Sequence, residues 1–133
     1  VITEYLTRWC EAIPLPDTTA NKLARALSDK LIFPHGCPLQ LLSDQGPQFR
    51  GEVMCTLTQS LWIKQLFTSP NQPQTNGLTK HMNKTIKRII SAYVDPVHQD
   101  WDQNLLFAIH AYNTSVQAST QINPFRTLYG QDP

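Results

Sequence analysis

A layered α/β domain is the fold class this sequence predicts, on three observations. Short segments rich in strand formers alternate with segments whose apolar residues recur at helical spacing. Leu41-Leu42-Ser43-Asp44 reads as a buried strand that ends in a carboxylate, and Gly46-Pro47 turns the chain straight after it. The 133 residues are enough for one domain with its own core, and 41% hydrophobic against 16% charged residues is a globular balance. Ligand and metal sites in α/β sheets gather at the carboxyl ends of strands, which makes Asp44 the first candidate functional residue. Asp also opens turns for purely local reasons, and that plainer alternative stands beside the functional one.

The elements follow in order. Val1 to Thr7 is rich in strand formers, and Trp9 to Leu15 reads as a second strand turning back on it near Thr7-Arg8, ended by Pro14 and Pro16. Asp17 is the expected N-cap of a first helix whose buried face is Ala20, Leu23, Ala24, Leu27 and Leu31; Pro34-His35-Gly36 stops it. Pro38 to Ser43 is the strand that delivers Asp44. A second helix opens at about Gly51 with Val53, Met54, Leu57 and Leu61 facing inward, and Trp62 to Thr68 is the next strand. Ser69 to Gly77 has no apolar side chains apart from its prolines, so a surface loop is expected.

Leu78, Met82, Ile86, Ile89, Ile90 and Tyr93 mark the inner stripe of a long helix, broken by Asp95-Pro96. Trp101, Leu105, Ala108, Ile109 and Tyr112 give one more amphipathic helix. Asn123-Pro124 is an N-cap followed by proline at the first helical position, and Gly130 closes the short helix it starts. Trp9, Trp62 and Trp101 are expected to be core residues rather than base-stacking platforms.

Net charge is only +1, but it is unevenly spread. From Glu52 to Asp95 no acid intervenes, and Lys64, Lys80, Lys84, Lys87 and Arg88 give that stretch +5 against −4 elsewhere. Lys80, Lys84, Lys87 and Arg88 lie on the long helix opposite its apolar stripe, with no acidic partners at i±4. A solvated face is the plain explanation of such a stripe; phosphate contact is the functional one. His81 beside them is expected to be simply solvated. Cys10, Cys37 and Cys55 are widely spaced, form no metal motif and fit a reducing compartment. No apolar run is long enough to cross a membrane. The chain opens on Val1-Ile2-Thr3 without an initiating Met, so an excised domain or fragment is expected.

Several of these stretches resemble one family. Leu41-Leu42-Ser43-Asp44-Gln45-Gly46 resembles the second-carboxylate motif of retroviral and retrotransposon (gypsy-class) integrases, and Pro73-Gln74-Thr75-Asn76-Gly77-Leu78 resembles their Asn-Gly loop. Met82-Asn83-Lys84-Thr85-Ile86-Lys87 is similar to the helix that follows. Ala111-Tyr112-Asn113-Thr114-Ser115 and Pro124-Phe125 with Leu128-Tyr129-Gly130 are similar to the end of the core, and Tyr5-Leu6-Thr7-Arg8-Trp9 with Glu11-Ala12 to its second and third strands. The resemblance implies an RNase H-like (retroviral integrase core) fold over residues 1–133, with a mixed sheet flanked by helices. It also implies DNA strand transfer through two aspartates and a glutamate that hold a pair of Mg²⁺ (or Mn²⁺) ions, and a nuclear location. Hard cations take oxygen ligands, and two of them can activate the attacking oxygen and stabilise the leaving one.

The chain departs from that pattern at the site itself. Asp44 matches the second aspartate, but the glutamate position, thirty-five residues further on, is Lys80. An ammonium cannot ligate a cation and repels it. The strand that carries the first aspartate is expected to be missing, the domain being truncated at its N-terminus, which would leave its neighbours with unpaired edges and favour low stability, aggregation or pairing with another chain. Glu4 lies one strand too late to replace that aspartate, and Glu52 on the wrong side of the site. Asn71-Gln72 also stands where relatives carry Tyr-His.

The expected function is therefore an integrase-like DNA-binding domain without strand-transfer activity. Asp44 remains as a vestigial metal ligand, Lys80 replaces the glutamate, and Gln74, Asn76, Lys80, Asn83, Lys84, Lys87 and Arg88 contact nucleic acid, with no metal bound. Two other classes compete: an active Mg²⁺-dependent integrase completed by upstream residues, and a dimerising protein-interaction module. Neither a membrane nor a small-molecule substrate is expected.

Overall fold

The structure, a computed structural model, describes residues 1–68, 77–93 and 101–133, except for some side chains of the helix over 77–93. The expected loop over 69–76 lies outside the described residues, as do the side chains of Leu78, Met82, Ile90 and Tyr93 in the expected inner stripe. The chain forms two compact units, Val1–Pro14 with Thr79–Pro133, and Leu15–Leu78.

In the first unit β1 (Ile2–Thr3) pairs antiparallel with β2 (Cys10–Glu11), Ile2 opposite Glu11 and Thr3 opposite Cys10. Both strands are shorter than the sequence suggests, and Glu4 is one reason. Its carboxylate accepts the Leu6 and Thr7 backbone N–H groups and the Thr7 hydroxyl, at 3.1, 2.6 and 2.6 Å, so the connection is a side-chain-bonded turn rather than a ladder. Burial opposes ionisation of Glu4, but the Thr7 hydrogen bonds outweigh it and hold the carboxyl below its usual range. Arg8 closes the turn at φ 64°.

The outer edge of β2 meets a side chain instead of a strand. The Cys10 N–H donates to Asn113 Oδ1 at 3.0 Å, and Asn113 Nδ2 donates to the Cys10 carbonyl at 2.9 Å. Asn113 sits near the end of α6 (Trp101–Thr114) and is only 2% exposed. Leu105, Ala108, Ile109 and Tyr112 of α6 are buried as their spacing predicts. α7 (Pro124–Tyr129) is capped as expected: Asn123 Oδ1 accepts the Arg126 N–H, and Gly130 takes the left-handed conformation at φ 74°. Trp9, Phe125 and Tyr129 form an aromatic cluster with centroids 4.8–6.3 Å apart.

In the second unit α1 (Ala20–Leu27) continues through a π-helical turn (Ser28–Ile32) into α2 (Phe33–His35), ending at Gly36 with φ 87°. Its N-cap is Thr19, not Asp17; Asp17 accepts the Thr19 N–H two residues ahead of the helix and pairs with Lys22. β3 (Gln40–Ser43) runs parallel to β4 (Lys64–Phe67), Ser43 opposite Phe67, with α3 (Pro47–Arg50) and α4 (Glu52–Ser60) between them in sequence. Met54 of α4 is buried as expected, but Val53 is exposed and Thr58 takes an inner position, its hydroxyl bonded to the Met54 carbonyl at 2.8 Å.

Two tryptophans depart from expectation. Trp62 is 93% exposed and Trp101 48% exposed. The cause at Trp62 is the way α4 ends: Ile63 N–H reaches the Thr58 carbonyl and Trp62 N–H the Gln59 carbonyl. That paired closure puts Trp62 in the left-handed slot at φ 57°, where glycine is preferred, and it is Ile63 that is buried.

Replacing Asn113 by Ala orphans two backbone groups at once, so a loss of about 2–4 kcal/mol in urea unfolding is expected. Cys10 is fully buried, and burial pushes its thiol up to about 12; burial does the same to the Tyr112 hydroxyl, also to about 12, with Arg8 pulling the other way. An acid held protonated in the fold stabilises it below its unfolded value and is a growing liability above it, so stability declines as pH rises beyond about 9. Mass spectrometry after iodoacetamide treatment at pH 8 should show Cys37, which is exposed, modified in the folded chain and Cys10 modified only in urea.

Candidate nucleic-acid interface

Asp44 follows β3 directly, at the carboxyl end of the parallel pair, and is exposed. Its Oδ1 accepts the Gly46 N–H at 2.9 Å, so the turn role is real. A Cβ on Gly46 would stand 2.9 Å from Asp44 Oδ1 and 2.6 Å from the Gln48 side chain, so any larger residue there would have to push those two side chains aside. Pro47 then starts α3. Beside Asp44, Gln45 donates its side-chain amide to the Thr68 carbonyl at 3.1 Å and accepts from Arg50 Nη1 at 3.5 Å. The Arg50 guanidinium lies 5.5 Å from the Phe67 ring centroid. The sequence drew no attention to Arg50, because its partner Phe67 is remote in the chain.

The basic residues are on α5 (Gly77–Tyr93), in the other unit. Lys80, Lys84, Lys87 and Arg88 are all exposed, Asn83 is half-buried, and Ile86 on the opposite side is buried. Helical spacing places the four cations within roughly 100° of arc. With Asn83 and Ser91 they line an open groove of about 700 Å³. Among the described residues none of the four forms an ion pair. His81 is exposed, as expected. Gln74 and Asn76, the other expected nucleic-acid contacts, lie outside the described residues.

No family model matches the chain. It is 24% identical over 126 residues to the retrovirus-related Pol polyprotein from transposon 412 of Drosophila melanogaster, over 95% of this chain and 10% of that protein. It is 25% identical over 133 residues to the gypsy retrotransposon integrase-like protein 1 of Bos taurus, over 100% of this chain and 26% of that protein. The catalytic core domain of BIV integrase matches with a TM-score of 0.78 at 24% identity, over 94% of this chain and 80% of that one. The HTLV-2 integrase catalytic core, in complex with magnesium and in a trimeric form, matches with a TM-score of 0.78 at 19% identity, over 93% and 79%. Along its sequence this chain is similar to gypsy and retroviral integrase-like Pol polyproteins. Its fold is the RNase H-like fold of retroviral integrase catalytic cores. The chain spans 10% and 26% of the length of the transposon 412 and Bos taurus relatives.

Against the pair of dications implied by the integrase fold, the described donor set does not fit. No group of three or more His, Cys, Asp or Glu side chains is assembled among the described residues. Asp44 already spends one oxygen on Gly46, Glu4 spends both on its turn, and Glu52 stands in the first turn of α4, where it complements the helix dipole. No helix among the described residues is long and apolar enough to cross a membrane.

Proposed function

We propose that this chain is an integrase-core-like DNA-binding domain of retrotransposon origin that grips the phosphate backbone through α5 and no longer catalyses strand transfer. The observation that carries it is the exposed cationic face of Lys80, Lys84, Lys87 and Arg88, none of which forms an ion pair among the described residues. Lys80 occupies the position at which the resemblance expects the metal-binding glutamate. That exchange replaces a metal ligand by a phosphate ligand, shifting the local charge in favour of a polyanion. Phosphate contacts fix position without reading sequence, so binding with little base preference belongs to the proposal, as does a nuclear location. Self-association is a second reading, favoured by Leu106 and Phe107 on α6, 69% and 72% exposed.

Duplex binding measured across a salt series, with and without Mg²⁺ or Mn²⁺, tests the main reading. The parent should bind with a steep salt dependence that ignores metal. Lys80→Glu should flatten the slope of log Kobs against log[salt] by at least about 0.9 and weaken binding at every salt concentration. Metal-dependent nicking or joining of the duplex by the parent would overturn the loss of catalysis. Light scattering at high protein concentration tests the second reading: a dimer is expected, converted to monomer by Phe107→Glu, and a monomeric parent sinks it.

A further inference from the structure

We infer that Arg50 is a second phosphate contact, at the carboxyl end of the parallel β3–β4 pair and therefore in the unit that does not carry α5. The inference rests on the DNA-binding reading above and extends it to a different surface. Three features single out this side chain. Its guanidinium is placed over the Phe67 ring, 5.5 Å from the centroid. One Nη group reaches Gln45 Oε1 at 3.5 Å, and Gln45 is itself anchored to the Thr68 carbonyl at 3.1 Å. Among the described residues no carboxylate neutralises it.

A long exposed side chain ordinarily gives up conformational freedom when it binds. Here an aromatic ring and an anchored amide already hold it, which lowers that cost. The contact to Gln45 uses one of five N–H donors, and the flat fork left over has the geometry that matches two oxygens of a phosphodiester.

The local electrostatics give such a cation a purpose. Asp44 presents an exposed carboxylate at the same strand end, and one of its oxygens is bonded only to a neutral backbone N–H. An unneutralised carboxylate repels a phosphodiester passing over this edge. A guanidinium held over Phe67 and beside Gln45, at the same end of the pair, offsets that repulsion without a metal ion. Lys64 at the other end of β4 is exposed but has neither an aromatic support nor an amide brace among the described residues.

The test is duplex binding by the full 133-residue chain across a salt series, comparing the parent with Arg50→Gln, Arg50→Lys, Phe67→Leu and the pair Lys84→Gln with Lys87→Gln. Circular dichroism and melting confirm that each variant is folded. Arg50→Gln should lower the slope of log Kobs against log[salt] by about 0.9, one phosphate contact. Arg50→Lys should keep the slope but bind more weakly, because the charge stays and the fork is lost. Phe67→Leu should also keep the slope and weaken binding, since it removes only the support. An unchanged slope in Arg50→Gln, beside a reduced slope in the Lys84 and Lys87 pair, overturns this contact and leaves the α5 grip standing. Unchanged slopes in both, or no binding by the parent, overturn both.

Discussion

One carboxamide holds the first unit together. Asn113 serves both the N–H and the C=O of Cys10, across 103 residues of chain. A two-residue strand has few backbone bonds of its own, and the outward-facing groups of β2 would otherwise be buried without partners. Asn is the side chain that can answer this need, since it offers one acceptor and a donor pair in a plane, as a neighbouring strand does. Reversing the amide would set donor against donor, so the orientation is fixed by the backbone it meets. Everything α6 buries, from Leu105 to Tyr112, is thereby tied to the position of β2, and the Trp9–Phe125–Tyr129 cluster extends the tie to α7.

What could be seen in the sequence was what depends on near neighbours. The α6 stripe from Leu105 to Tyr112, the Asn123 cap and the Gly130 stop are set by spacing and by local hydrogen-bonding chemistry, and they stand as expected; the strand leading to Asp44 forms too, but over Gln40–Ser43 and half-buried at most rather than buried. The near misses are also local: Thr19 rather than Asp17 caps α1, because Asp17 bonds the Thr19 N–H and Lys22 before the helix begins. What could not be seen depends on distant partners. Nothing around residue 113 says that its amide closes the edge at residue 10. Nothing around Arg50 says that a ring seventeen residues later will lie beneath it.

Trp62 shows a different limit. A tryptophan between Leu61 and Ile63 in an apolar run reads as core, because apolar runs usually bury their largest member. Here helix-end geometry prevails over hydrophobicity. The closure of α4 needs a left-handed residue just after Leu61, whichever residue stands there, and a side chain in that slot points to solvent. Glycine at 62 would have announced the stop; tryptophan hides it. At the candidate site the sequence was more informative, since Lys80, Lys84, Lys87 and Arg88 sit on one exposed helical face as their spacing required.

Charge decides how such a surface can meet DNA. A site of several carboxylates repels a phosphodiester until cations are bound, so metal binding there favours nucleic-acid binding. Exchanging one carboxylate for an ammonium changes the local charge by two units and inverts that logic. The surface then attracts the polyanion without an ion, and a dication entering it would meet a like charge. Metal-dependent chemistry and metal-free gripping are therefore alternatives at one helical position, and the choice is made by the residue type there. Under the proposed function Lys80 makes it, with Lys84, Lys87 and Arg88 supplying cations along the same face and no acid between Glu52 and Asp95 in the sequence to oppose them. At the strand end Asp44 remains, and a nearby guanidinium can do electrostatically what a metal ion does in a complete carboxylate set: make the carboxylate's surroundings tolerable to phosphate, though without the Lewis acidity that breaking a P–O bond demands.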